Sequence, residues 1–358
     1  MFTFGKRHWL YALAMFLAVS ACSHGFAAFW NDKAHRLPVA HSLTSTTQVR
    51  FFGVSSFLIR SGNSSLMIDG FLSRPPNALT RKVQPELSTV TSLLSAAGVP
   101  VARSCENSEG NGKSIDAVVA MHGHYDHALD TPLIAALTGA TLIANREVLS
   151  ASSRMARLFP DLCAITDFIE ITGSGPIRIS LGDIKLTLFE TPHSTNPAST
   201  LLERLPADDA WEFPTSIRDL KSGISLAAHI ETPDGAILIL PTAGNIGPRL
   251  RNLNLEANTI FLGVGGLGWQ SSKKIKRHIL NSVVASGATK VIPIHWDAHA
   301  PAIDPSAPSL PIPAYENLNR ALQALAELSK DNPDISILSI PTLNPFDPFL
   351  DPTTAKPN

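Results

Sequence analysis

His122-Gly123-His124-Tyr125-Asp126-His127 follows directly on the apolar, largely β-branched run Ile115 to Met121, and this junction decides how the chain reads. It packs three imidazoles and a carboxylate into one hexapeptide, more metal-binding groups than packing or solubility requires. The run before it starts beyond the turn-forming stretch Asn107 to Gly112 and reads as a buried strand. On an extended chain His122 and His124 point the same way. A turn into a helix just after them swings Asp126 and His127 toward a second point close by, so one short segment can feed two adjacent metal positions. Neutral imidazole nitrogen and carboxylate oxygen are ligands that zinc accepts, and a catalytic zinc keeps one position open for water.

Working outward, Gln48 to Phe52, Ser56 to Arg60 and Leu66 to Asp69 read as short strands separated by Gly53 and by Ser61 to Asn63, a β-meander. A helix is expected over Glu86 to Ala97, stopped by Gly98 and Pro100. Further strands are expected at Thr141 to Ala144, Ile177 to Leu181, Ile184 to Glu190, Ile224 to Ile230, Ala236 to Leu240, Thr259 to Leu262 and Lys290 to Ile294. Ser271 to Ser286 and Ala314 to Lys330 have helical character, the second with Leu318, Leu322, Leu325 and Leu328 on one side. Two batches of strands with helices between and after them fit an α/β fold, a four-layer αββα sandwich in a single domain over residues 47–340. The polar stretch 23–46 reads as a tether, and the Pro-rich end 341–358 as a loose tail. Thr195 to Ser222, with Trp211 and Phe213 among prolines and acids, has no strong period. It is either a lid over a site or a solvated insertion.

The chain has 358 residues and 44% hydrophobic content, enough for a large core. Lys plus Arg total 29 against 30 for Asp plus Glu, so no basic field is available to hold nucleic acid. Lys273, Lys274, Lys276 and Arg277 are read as one exposed helix face. At the N-terminus Lys6 and Arg7 precede the uncharged stretch Trp9 to Ser20, too short to span a bilayer of ~30 Å as a helix. Residues 1–21 therefore read as an export signal. Val19-Ser20-Ala21-Cys22 resembles the bacterial lipobox, which implies cleavage before Cys22 and lipidation of that cysteine; simple secretion with the same cut is the other option. Ser23 after the cysteine favours the outer membrane, facing the periplasm. Export leaves Cys105 and Cys163 where disulfides persist, either paired or as two buried free thiols.

Two more histidines stand where strands end: His193 after Phe189-Glu190-Thr191-Pro192 and His295 after Val291-Ile292-Pro293-Ile294. Together with the hexapeptide, and with Asp69 closing Leu66-Met67-Ile68, they resemble in order the signature of the metallo-β-lactamase-fold hydrolases over about Gln48 to His299. The resemblance implies a first zinc on His122, His124 and His193, a second on Asp126, His127 and His295, and Asp69 as the hydrogen-bonding residue that orients the ligand loop. Gly53 to Ile59 and the pair His295-Trp296 look closest to the branch of ascorbate-phosphate lactonases and N-acyl phosphatidylethanolamine phospholipase D.

One element departs from that pattern. Most relatives place an aspartate bridging both metals after the strand read as Ala236 to Leu240, usually as Gly-Asp, where this chain has Gly244-Asn245. An amide is a neutral, weaker ligand, so Asn245 is expected beside the metals without bridging them, leaving either one zinc or a six-ligand pair. The expected activity is exported, zinc-dependent hydrolysis of an ester, lactone, amide or phosphodiester bond in a small molecule or lipid. Asp126 would orient the attacking water, and Asp126, Asp297 or His299 would carry the proton to the leaving group. Asp297 and His299 read equally as loop residues outside the site, and Tyr125 as either a substrate contact or packing. The alternative is a non-catalytic binding protein on the same fold with an impaired second metal position.

Overall fold

In the computed structural model the described residues are 35–36, 45–101, 113–173, 175–194, 197–206, 212–313 and 316–350. The export signal, Cys22, Cys105 and Trp211 lie outside them. Among the described residues no helix is long and apolar enough to cross a membrane.

Strand β2 (Thr47–Phe51), β3 (Phe57–Ser61) and β4 (Ser64–Ile68) form the antiparallel meander. Strands β5 (Ala117–Val119), β6 (Thr141–Ala144) and β7 (Phe168–Glu170) then add in parallel, so the first sheet runs β2-β3-β4-β5-β6-β7. The second sheet contains β8 (Ile177–Leu181), β9 (Ile184–Glu190), β10 (Leu226–Thr232), β11 (Gly235–Leu240), β12 (Thr259–Gly263), β13 (Lys290–Ile294) and β14 (Ser336–Ser339), with β1 (His35–Arg36) at its edge. Its order is β1-β14-β13-β12-β11-β10-β9-β8.

Alternation along the first sheet explains the layering. Phe57, Ile59, Leu66, Ile68, Ala117, Val119 and Ile143 face the second sheet, and the Phe57 ring packs at a tilt 4.7 Å from that of Phe261 across the seam. Their neighbours Leu58, Met67, Val118 and Leu142 point the other way, onto helices α1 (Leu87–Ala96) and α3 (Thr131–Thr138). Residues one apart on a strand serve opposite faces, which fixes the register wherever both faces are covered. Beyond the second sheet lie α7 (Ser272–Ser286) and α8 (Asn319–Asp331), which pack Ile275, Ile279, Leu322 and Leu325 inward. Lys273, Lys274, Lys276 and Arg277 are the exposed face of α7, with Lys276 paired to Glu327 at 2.6 Å. The architecture is the expected αββα sandwich.

Three expectations need correction. His35 and Arg36, placed in the tether, add β1 in parallel beside β14. The tail from Pro341 is not loose as far as it is described. Phe346 is fully buried, its backbone exchanges two 2.9 Å bonds with Val49, and the Pro348 carbonyl accepts from Thr259 Oγ1. Thr195 to Ser222 also carries regular structure, helix α5 (Pro197–Arg204) and a 3₁₀ turn at Ile217–Asp219.

Candidate metal centre

The site lies along one edge of the sandwich, and strand direction explains why. β4, β5 and β6 are mutually parallel, as are β11, β12 and β13, and β9 shares their sense through the two antiparallel pairings of β10. The carboxyl ends of all these strands therefore meet on one side, where loops can carry functional groups on a rigid base. Asp69 ends β4, the hexapeptide follows β5, His193 follows β9 and His295 follows β13. Leu226 N donates to Met121 O at 2.8 Å, closing the two sheets together at this edge.

Within the hexapeptide the chain is extended at His124 (φ −64°, ψ 151°) and then turns into α2 (Tyr125–Ala128). The change of direction divides the donors as expected. His122, His124 and His193 bring three ligand atoms within 4.8 Å of one another, and Asp126, His127 and His295 do the same. The groups adjoin: the His122 and His127 rings are 3.8 Å apart.

The outward nitrogens are committed as donors. His127 Nδ1 lies 2.7 Å from Asp69 Oδ2, His193 Nδ1 lies 2.8 Å from the Ser194 carbonyl, and His124 Nε2 lies 2.7 Å from Glu203 Oε1. A neutral imidazole has one proton, so each of these rings turns a lone pair inward. His122 Nε2 and His124 Nδ1 face each other at 3.1 Å, while buried His122 Nδ1 has no hydrogen-bond partner. Converging lone pairs, with the outward N–H groups of His124, His127 and His193 satisfied, are the arrangement a divalent cation needs, so the donor set fits a metal.

Electrostatics reinforce this. Burial, then the neighbouring His127, His124 and His193, push His122 well below the usual imidazole range. Burial and His124 push His193 down to about 4. Burial works to raise Asp126, but His299, His127 and His295 outweigh it and hold the carboxylate well below its usual range. Burial thus favours neutral His122 and His193 beside an ionised Asp126, while the Asp126 carboxylate raises His295 against the effect of its burial.

Asp69 has several hydrogen-bond partners at this edge. Besides His127, it accepts from Ser55 Oγ and, at 2.7 Å, from Met121 N, so it fixes the ligand ring and the end of β5 together. Asp69 (φ 52°), His295 (φ 58°) and Val54 (φ 52°) all adopt left-handed backbone, which L-residues rarely do. Val54 O accepts from His295 N, and Val54 N donates to Asp297 Oδ1, both at 2.8 Å. Gly265 allows the approach of His295, since a Cβ there would sit 2.4 Å from its Nδ1.

Asp297 and His299, read as equivalent shuttle candidates, part company. Asp297 is fully buried in an ion pair with the equally buried Arg74 at 2.6 Å, and Arg74 also donates to the Phe52 and Ala298 carbonyls. Asp297 is therefore a fixture of the His295 loop. His299 does face the centre, with Nε2 3.5 Å from Asp126 Oδ2 and Nδ1 2.8 Å from the Tyr125 hydroxyl. Burial pushes His299 down to about 4 although part of its ring edge reaches solvent. Tyr125 packs edge-on against Phe71 at 5.4 Å and so combines packing with holding His299.

Asn245 is the clear misplacement. It is exposed and its Oδ1 accepts from Asn281 Nδ2 of α7 at 3.2 Å. Gly244 before it presses on Pro192, where a Cβ would lie 1.7 Å from the carbonyl oxygen. That contact turns the next side chain outward before α6 (Gly247–Leu253) begins. The residues between β11 and Gly244 are Pro241, Thr242 and Ala243, of which Thr242 Oγ1 accepts from Ser194 N beside His193. The end of β11 thus offers no carboxylate, for a different reason than Asn245.

Cys163 is disulfide-bonded, and its partner lies outside the described residues. Sequence reasoning passed over Glu203 and Arg74. Each pairs with a residue distant in the chain and carries no local spacing signal.

Residues 91–211 match the model of the β-lactamase superfamily domain. A UPF0173 metal-dependent hydrolase of Anaeromyxobacter dehalogenans (strain 2CP-1) is 28% identical over 153 residues, 42% of this chain and 44% of that protein. Another, of Rubrobacter xylanophilus, is 24% identical over 204 residues, 54% of this chain and 69% of that protein. The chain spans less than half the length of the first of these relatives. The crystal structure of a possible metal-dependent hydrolase from Veillonella parvula aligns over 84% of this chain and 98% of its own, with a TM-score of 0.48 and 14% identity. The family match runs from before the hexapeptide to beyond His193, so both lie in the part of the chain that is similar to the β-lactamase superfamily domain.

Proposed function

We propose that the protein is a zinc-dependent hydrolase, exported and held at the bacterial outer membrane through a lipidated Cys22. The observation that carries the hydrolase reading is the pair of adjoining three-donor clusters with inward lone pairs. His122, His124 and His193 would hold one ion and Asp126, His127 and His295 the other. Bound there, zinc would polarise the scissile carbonyl or phosphoryl oxygen and would lower the pKa of water from 15.7 toward ~7.

The chain supplies orientation and proton handling. Asp126, an ionised carboxylate between His127, His295 and His299, accepts a hydrogen bond from the attacking water. In the tautomer that carries its proton on Nε2, facing Asp126, His299 accepts from the Tyr125 hydroxyl at Nδ1. That proton is the one a leaving group can take. Ester, lactone, amide and phosphodiester bonds all present the oxygen this donor set serves. The resemblance to lactonases and phospholipase D-like enzymes, with the lipid anchor, puts lactones and phospholipids first.

Zinc content after chelator-free purification, and hydrolysis of a lactone, a phospholipid, a phosphodiester and a β-lactam beside His122→Ala, test the reading. We expect bound zinc and loss of the activity in the variant; full activity without His122 would sink it. A binding protein on the same frame is the second reading, favoured by the absence of a carboxylate at the end of β11, and near-zero zinc would support it. For the anchor, Cys22→Ser should move the protein from the membrane to the soluble fraction, and unchanged retention argues against lipidation.

A further inference from the structure

We propose that Glu203, carried on α5 by the insertion between β9 and β10, is a positioning residue for His124 that couples the seating of this helix to metal occupancy at the His122, His124 and His193 cluster. The inference rests on those three histidines holding an ion. His124 has two ring nitrogens with different tasks: Nδ1 faces His122 Nε2, and Nε2 meets Glu203 Oε1 at 2.7 Å. Donation to the carboxylate fixes the tautomer that leaves the lone pair on Nδ1. The outward nitrogens of His127 and His193 are held by Asp69 and by the Ser194 backbone, both at strand ends. For His124 the partner arrives instead from the insertion, 79 residues along the chain.

The insertion is tied back to the ligand loop. Glu203 Oε1 also accepts from Ser222 N at 2.9 Å, and Ser222 O accepts from Gly123 N at 2.8 Å. Gly123 is bonded to His124, so Glu203, Ser222, Gly123 and His124 close a hydrogen-bonded circuit. Gly123 has no room for a side chain, because a Cβ would lie 2.2 Å from the Lys221 carbonyl oxygen. Lys221 in turn donates from Nζ to Leu205 O, just past the end of α5. A carboxylate on the outer nitrogen of a ligand histidine sets ring orientation and raises ligand basicity. What Glu203 contributes to metal affinity, the metal returns to the seating of the helix, because the coupling is reciprocal.

The test compares the wild-type chain with Glu203→Ala and Glu203→Gln. Zinc affinity is measured by competition with a chromophoric chelator, cobalt substitution reports ligand geometry by absorption, and amide exchange is followed over residues 197–205 with and without zinc. We expect Glu203→Ala to lose about 10–100-fold in affinity for one of the two ions, with an altered cobalt spectrum. Glu203→Gln, whose amide oxygen accepts the same N–H, should stay much closer to wild type. Zinc should slow exchange of the helix in wild type but not in Glu203→Ala. Wild-type affinity in Glu203→Ala, equal losses in both variants, or helix exchange indifferent to zinc would overturn the proposal. Wild-type protein that takes up no zinc would overturn the metal reading beneath it, a different result from the other three.

Discussion

Asp130 is fully buried between α2 and α3, where its carboxylate accepts from Leu72 N, Ser73 N and Ser73 Oγ at 2.6–2.8 Å. Burial outweighs those bonds and raises it to about 6 from 3.8. A raised carboxylate makes the folded state bind the proton more tightly, so this group's contribution is most favourable below about pH 4 and is lost as pH rises through about 6. Asp130→Asn should therefore cost more stability at pH 4.5 than at pH 7.5, read as the difference in chemical unfolding free energy between the two proteins at each pH. A pH-independent difference would contradict the assignment. At this scale legibility follows chemistry. The clustering of Asp126 and His127 with His295 could be read because metal ligation restricts both residue type and spacing. Glu203 and Arg74 could not, since their partners His124 and Asp297 lie 79 and 223 residues away. Asn245 was misread because the path of a loop, set by the Gly244 contact with Pro192, decides which side chain faces the site.

Among the elements, strands buried on both faces such as β6 and β13 announce themselves as β-branched and leucine-rich runs and have the expected bounds, as do the partly exposed β8 and β9. The short strands β1, β7 and β14 were missed; a stretch of two to four residues carries too little pattern. α3 has the local signals of Pro132 at its start and left-handed Gly139 at its end, but every one of its residues is buried, so no polar face sets a period. The docked segment after β14 was misjudged because proline content describes propensity, whereas Phe346 is held by pairing with Val49 and by packing near Phe261. Phe346→Ala should destabilise the fold by about 3–5 kcal/mol, measured by denaturant unfolding. A loss under about 1 kcal/mol would mean the segment is superficial.

For the whole molecule, two batches of strands were enough to foresee two sheets, because each needs a covered apolar face and the other sheet is the nearest cover. Strand order and the crossing of the insertion over the ligand loop were not foreseeable, since both depend on contacts between distant segments. Each donor cluster takes two side chains from the loop after β5 and one from a loop of the second sheet, His193 in one case and His295 in the other. An ion in either place would act as a rivet through the seam between the two halves of the sandwich. Metal supply would then set how firmly the halves are clamped, and chelation would loosen the molecule along that seam rather than merely empty a cavity.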